Sequence, residues 1–352
     1  MDFINRKQYG LDRPFALPAL NESDLVGRVV SQEKGLCRVV WEGGELLAGV
    51  SGKLRYEAAN ALYYPATGDF VLLEPESMLQ GRGVIRSILP RKSVFLRKAA
   101  GTTREEQVVA ANVDIVFLCM ALNLDFNLRR LERYLAVSWE SGAVPVVVLT
   151  KADLCGDLPE KLTAVQSIAA GADVLVTSAM ERDGYGQILP YLEEGRTAAF
   201  IGSSGVGKST LINRLLGEER QTTKGLRDDD KGQHATTRRE LIPLPMGGLV
   251  MDTPGMREVG LWDTAEGLGL AFSDIEALAD GCRFRDCGHQ NEPGCAVHAA
   301  IARGELTEER FQSYQKLKAE NAYAQDSESY LKAKEKKFKE IAIFSKSLRK
   351  KG

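Results

Sequence analysis

Residues 202–210 read Gly202-Ser203-Ser204-Gly205-Val206-Gly207-Lys208-Ser209-Thr210, a match to the phosphate-binding pattern G-x-x-x-x-G-K-[ST]. Ala199-Phe200-Ile201 before it reads as a strand end, and the apolar spacing from Leu211 to Leu216 after it reads as a helix. In that setting Gly205 and Gly207 let the backbone curl until its N–H groups converge on phosphate oxygens, and the helix N-terminus adds favourable partial charge. Lys208 is expected to reach the β- and γ-phosphates and Ser209 to bind Mg²⁺. All nine residues are candidate nucleotide contacts.

Outward from this loop the chain alternates buried strands with helices, which predicts an α/β sheet. Ile115–Met120 is a continuous apolar run, as a strand covered on both faces requires. Asn127 is placed to cap a helix in which Leu128, Leu131, Leu135 and Val137 share a face. Strands are expected at 144–149, 174–176, 198–201, 240–244 and 249–251, with a helix near 158–170. Ligands of such sheets lie beyond the carboxyl ends of the strands.

Two further motifs fall at such ends. Thr150-Lys151-Ala152-Asp153 resembles the guanine-specificity motif N-K-x-D of GTPases. Asp153 can accept from guanine N1–H and the N2 amine, a donor pair adenine lacks, and the Lys151 stem can cover the base. Thr150 stands where Asn is usual, which is expected to weaken a hydrogen bond to the phosphate loop. Thr177-Ser178-Ala179 resembles the loop whose backbone meets guanine O6. Downstream, Asp252-Thr253-Pro254-Gly255 matches D-x-x-G: Asp252 would hold Mg²⁺ through a water, and the Gly255 N–H would sense the γ-phosphate. In the polar stretch 218–239, Thr236 is the candidate switch threonine for Mg²⁺, with Thr237 its neighbour and rival. Met256 occupies the position where many GTPases carry a water-orienting Gln. His234 is the intrinsic candidate for that catalytic role, since its pKa lies near working pH. Intrinsic hydrolysis is expected to be slow, an activating partner commonly adding about 10³–10⁵-fold.

The motif order is base loops, phosphate loop, switch threonine, D-x-x-G. Ordinary GTPases start with the phosphate loop, so this domain is circularly permuted. The chain leaves it just past Gly255, tethering the C-terminal region to an element that moves on hydrolysis.

That C-terminal region contains Cys282-x4-Cys287-x-His289-x5-Cys295. Three thiolates and an imidazole suit a closed, structural tetrahedral Zn²⁺ site. His298 is a rival fourth ligand, otherwise expected to face solvent. Helices are expected at 307–324 and 329–344. At the other end, residues 26–89 carry five short strand-like runs separated by turns, a small β-barrel of OB or SH3-like type. A basic connector with Arg91, Lys92, Arg97, Lys98 and Arg104 comes after it.

The 352 residues suit two or three domains, and 44% hydrophobic with 27% charged residues is ordinary for a globular protein. A net charge of -2 means any nucleic-acid footprint is local, with the Lys- and Arg-rich tail 332–351 a candidate. Neither a leader-like apolar segment nor a membrane-length run is evident, so a cytoplasmic protein is expected.

With Gly202–Thr210, Gly232-Gln233-His234-Ala235-Thr236-Thr237, Asp252–Gly255, Cys282-Arg283-Phe284-Arg285-Asp286-Cys287-Gly288-His289 and the 292–297 segment, the chain resembles the ribosome small subunit-dependent GTPase A (RsgA) family. The resemblance implies an OB-fold, a permuted GTPase domain and a zinc domain facing the small ribosomal subunit. It also implies late maturation of that subunit, GTPase stimulation by it, and the catalytic histidine at His234. Gln233 and Ala235 stand where Arg and Thr are frequent. The expected organisation is a lead-in at 1–25, an OB-fold RNA-binding barrel at 26–98, the GTPase domain at 99–270 and the zinc domain with its basic tail at 271–352. The expected ligands are GTP or GDP with Mg²⁺ and one structural Zn²⁺. The expected partners are the small subunit and its rRNA, with no membrane and a monomeric state. Competing readings are a GTP-binding rRNA scaffold with negligible hydrolysis and a permuted GTPase of large-subunit assembly.

Overall fold

The computed structural model describes residues 5–12, 24–33, 35–58, 61–78, 82–98, 106–123, 125–178, 181, 184–217, 239–252, 265–290 and 292–322. They fall into two compact units, 1–260 and 261–352.

The first unit opens with strands β1 (Leu25–Glu33), β2 (Leu36–Trp41) and β3 (Gly44–Val50), helix α1 (Gly52–Glu57), strand β4 (Phe70–Leu73), helix α2 (Pro75–Met78) and strand β5 (Gly83–Ile88). Pairing runs β1-β2-β3-β5-β4 and closes β4 back onto β1. The β3–β5 pair is parallel, Ala48 opposite Gly83, and the other pairs are antiparallel. This five-stranded closed barrel, with a helix between β3 and β4, is the OB arrangement. Its core is Val29, Cys37, Val39, Ala48, Val71, Leu73 and Ile85.

The expected basic connector is in fact largely structured. Strands β6 (Val94–Lys98) and β7 (Glu106–Ala111) form an antiparallel ribbon. Phe95 is buried, and Val94 and Leu96 pack on Ala66, Val108 and Ala111. Burial of these apolar side chains, not the neighbouring charges, decides the conformation.

The α/β sheet comprises β8 (Ile115–Ala121), α3 (Leu128–Ser141), β9 (Val144–Thr150), α4 (Leu158–Gln166), β10 (Asp173–Val176), β11 (Thr197–Ile201), α5 (Lys208–Leu216), β12 (Glu240–Pro243) and β13 (Leu249–Asp252). Its order is β10-β9-β8-β11-β13-β12, parallel throughout except for β12. Every residue of β8 is buried, and Asn127 caps α3 by accepting from the Arg130 amide at 3.0 Å. Because β8, β9, β10, β11 and β13 are parallel, the loops after them leave from one edge.

β12 also pairs with β1, Ser31 opposite Glu240, so sheet and barrel are continuous. Arg28, 1% exposed, ties this seam. It donates to the Thr197 hydroxyl at 2.7 Å, the Tyr9 carbonyl at 2.9 Å and the Asn112 carbonyl at 3.3 Å. Its guanidinium also lies 4.4 Å from the Phe70 ring centre. Asp69 takes a two-pronged bond from Arg91, both arms 2.7 Å. Beside it Gly68 has φ +94°, and a Cβ there would lie 2.0 Å from the Ala111 carbonyl oxygen. Residues 5–12 of the lead-in make specific contacts: Gln8 donates to the Leu244 carbonyl at 2.9 Å and Asn5 to Glu194 at 2.8 Å.

The second unit holds α6 (Ala265–Ala271), α7 (Ser273–Ala279), α8 (Ala296–Ala302) and α9, described over 308–322. Phe272, Ile275, Val297, Ala300, Phe311 and Tyr314 are buried. Arg310 makes a two-pronged bond to Asp274 at 2.8 and 2.7 Å and stacks 4.5 Å over Phe272. The expected helix at 329–344 and the basic tail lie outside the described residues. Among the described residues no helix is long and apolar enough to cross a membrane.

Candidate functional site

β11 enters the phosphate loop from the centre of the sheet, between β8 and β13. Gly202, at φ +155°, passes so close to β8 that a Cβ would sit 2.4 Å from the Cys119 carbonyl oxygen. Only glycine fits that approach. Gly207, at φ +103°, turns the chain into α5, whose first residues are Lys208 and Ser209. Lys208 is 8% exposed and folds back over the loop. Its ammonium donates to the Gly202 carbonyl at 2.6 Å and to the Ser203 carbonyl. The loop is thus a backbone cradle with one buried cation across its mouth, a geometry made for polyanions.

The loop after β9 lies against it. The Thr150 hydroxyl donates to the Val206 carbonyl at 2.5 Å, and both residues are buried. Threonine, standing where Asn is usual, thus still makes a tie to the phosphate loop. Lys151 comes next with φ +58°, a left-handed conformation costly for a non-glycine residue, which turns the chain into the short 3-10 turn Ala152–Leu154. Asp153 Oδ1 accepts from the Ser178 hydroxyl at 2.7 Å, and the Ala152 amide donates to the Thr177 carbonyl at 3.2 Å. Thr150, Lys151, Asp153, Ser178 and the phosphate loop thus form one continuous rim, although the chain supplies them in permuted order.

Asp252 ends β13, whose register with β11 sets Met251 opposite Ala199. The strand therefore delivers Asp252 to the edge from which the phosphate loop rises. Ala179, His234, Thr236, Thr237 and Gly255 lie outside the described residues, as does the side chain of Asp252.

No motif pointed to Arg130 on α3. Its guanidinium donates to the Ser203 hydroxyl and to Asp125 at 2.8 Å. Asn127 marked where α3 begins, but nothing in the sequence placed that end beside the phosphate loop.

In the second unit Cys282, Cys287, His289 and Cys295 bring their ligand atoms within 4.8 Å of one another. His289 Nδ1 lies 3.6 Å from Cys282 Sγ and 3.5 Å from Cys295 Sγ, and those two sulfurs are 4.0 Å apart. A tetrahedron with metal–sulfur bonds of about 2.3 Å has edges of about 3.8 Å, so the set fits a single ion. Burial works against the Cys282 thiolate, but the Ala296 and Val297 amides at the start of α8, together with Cys287 and Cys295, draw its pKa down. The Cys287 thiol is pushed up to about 11: a backbone bond near His289 lowers it, and burial together with the two neighbouring sulfurs overcomes that. Three thiolates this close would repel one another without a cation between them, so the set could hold a metal ion. His298 lies outside this group of four and is half-buried. Its Nε2 lies 3.0 Å from the His289 carbonyl, and its ring packs edge-on against Phe311 at 5.6 Å.

A family model described as RsgA GTPase matches residues 88–262. The small ribosomal subunit biogenesis GTPase RsgA 2 of Lactiplantibacillus plantarum is 48% identical over 322 residues, covering 91% of this chain and 90% of that protein. The small ribosomal subunit biogenesis GTPase RsgA of Opitutus terrae is also 48% identical, covering 90% of this chain and 87% of the relative. Among solved structures, YjeQ from Thermotoga maritima superposes with a TM-score of 0.63 at 28% identity, covering 84% of this chain and 98% of its own. YloQ, described as a circularly permuted GTPase, gives 0.62 at 26% identity, covering 88% and 99%.

Proposed function

The chain belongs to the RsgA GTPase family, and from that premise we propose that it hydrolyses GTP on the rim formed by the loops after β9, β10, β11 and β13, in late maturation of the small ribosomal subunit. The carrying observation is the Thr150–Val206 bond, which fastens a guanine-type loop to a phosphate-type loop 56 residues away. Asp153, oriented by Ser178, reads the guanine edge, Lys151 covers the base, and Ala179 offers its backbone to guanine O6. The N–H groups of 203–210 and Lys208 take the phosphates, and Gly255 senses the terminal one. Ser209, Asp252 and Thr236 would hold Mg²⁺, which supplies charge to the β- and γ-phosphate oxygens when bound. His234 orients the attacking water.

Cys282, Cys287, His289 and Cys295 would hold zinc for structure, since four protein ligands would leave no position for substrate. The relatives' names supply the partner, the small subunit, and the barrel and basic tail are its rRNA contacts. The domains are a barrel beginning near residue 26, the GTPase domain that follows it and a C-terminal zinc domain, and the protein acts as a cytoplasmic monomer. Phosphate release from GTP, measured alone and with purified small or large subunits, tests this. Stimulation approaching about 10³-fold by small subunits alone is expected. Equal rates in all three reactions would overturn it.

A further inference from the structure

We propose that Arg130 is a positioning residue for GTP hydrolysis, setting the first turn of the phosphate loop, and through it Lys208, from helix α3. The inference rests on the proposed phosphate-binding role of that loop and adds to it a residue outside every nucleotide motif.

Arg130 is costly where it stands. The first turn of α3 carries Arg129 and Arg130 and no acidic residue, so two cations face the positive end of a helix dipole. Nor is Arg130 core filler, since its side chain is 35% exposed. A cation kept against local preference and outside the core points to a role in the site.

Its contacts define that role. Asp125, on the loop between β8 and α3, fixes the guanidinium at 2.8 Å. The same Nη1 donates to the Ser203 hydroxyl. The carbonyl of Ser203, with that of Gly202, holds the Lys208 ammonium. An unbroken chain therefore runs Asp125–Arg130–Ser203–Lys208. It clamps the start of the loop, as Thr150 clamps the end at Val206. Gly202 leaves this turn no slack on the β8 side, where it already touches the Cys119 carbonyl. Misplacing a charged group by about 1 Å can cost about a hundredfold in rate without a matching loss of ground-state binding. The clamp therefore acts on kcat more than on affinity, most of which comes from the backbone amides and the base loop.

The test is steady-state GTP turnover by the full-length protein, with GDP affinity measured in parallel, for Arg130→Ala, Arg130→Lys, Ser203→Ala, the Arg130→Ala/Ser203→Ala double variant and Lys208→Ala. Arg130→Ala should lower kcat about 10- to 100-fold while KM and the GDP Kd stay within about threefold. Arg130→Lys should recover part of the rate. The double variant should be no slower than the worse single one, because both cut the same chain. Wild-type kcat in Arg130→Ala, a KM or GDP Kd rising in step with the loss of rate, or additive effects in the double variant would overturn the proposal. Lys208→Ala separates the two levels. If it leaves GTP binding intact, the phosphate-loop reading fails and this inference with it. If it abolishes binding while Arg130→Ala turns over normally, the inference alone fails. Should Arg130→Ala melt early, Asp125→Asn, which keeps the arginine but frees it, should show the same loss of kcat, and an unchanged kcat there counts against the clamp.

Discussion

Replacing Thr150 by valine keeps the shape of the side chain and removes one hydroxyl. Thr150 is 3% and Val206 1% exposed, and the bond between them is 2.5 Å long. Without it the Val206 carbonyl loses a buried partner, at a cost of about 1–3 kcal/mol. The bond joins the base loop to the phosphate loop, so the loss should fall on the nucleotide, which needs both loops in register. At about 1.4 kcal/mol per decade, GDP and GTP affinities should each weaken by roughly 5- to 100-fold. Thr150→Ser keeps the hydroxyl and should stay within about threefold of wild type. Titration of fluorescent GDP and GTP analogues into each variant, with melting curves to confirm folding, reads this directly. Valine binding both nucleotides within twofold of wild type would refute the idea that this one bond carries the register.

Three further outcomes are expected. Gly68→Ala adds a Cβ 2.0 Å from a backbone oxygen at φ +94°, so its urea midpoint should fall by the equivalent of at least about 2 kcal/mol, and an unchanged midpoint would contradict the packing of barrel against sheet. Purified protein should carry one equivalent of zinc by elemental analysis, lost in Cys282→Ser; because such sites supply on the order of 10–16 kcal/mol, a chelator strong enough to strip the ion should unfold 265–322, seen as new protease cleavage there. Arg28→Met keeps length and apolar bulk but removes the bonds to Thr197, Tyr9 and Asn112, and should destabilise the first unit by about 2–4 kcal/mol in chemical denaturation.

The parts legible in the sequence were those where local chemistry dictates geometry. Ile115–Met120 announces a strand covered on both faces because a helix or exposed strand would interrupt the apolar run. The phosphate loop needs its glycines, as the contact of Gly202 with Cys119 makes concrete. The cysteine spacing already held the tetrahedral set. The features that stayed hidden depend on distant partners. The β6–β7 ribbon was obscured by Arg97, Lys98 and Arg104, whereas its conformation is fixed by Val94 and Leu96 meeting Ala66 and Val108 and by the burial of Phe95. Arg130 meets Ser203 across 73 residues, with no motif between them. The position of His298 depends on Phe311 in the next helix, not on its distance from Cys295. That Thr150 reaches the Val206 carbonyl 56 residues away was likewise not readable from the motif.

One substitution speaks to the whole arrangement. Asp153→Asn exchanges two acceptors for an acceptor and a donor, which no longer match guanine but do match xanthine, whose C2 bears a carbonyl in place of the amine. Turnover of GTP and XTP by the two proteins should cross over: wild type prefers GTP by about a hundredfold or more, and the variant prefers XTP. If Asp153→Asn still hydrolyses GTP with undiminished preference, Asp153 and Lys208 do not share a nucleotide, and the account of a permuted GTP site is wrong.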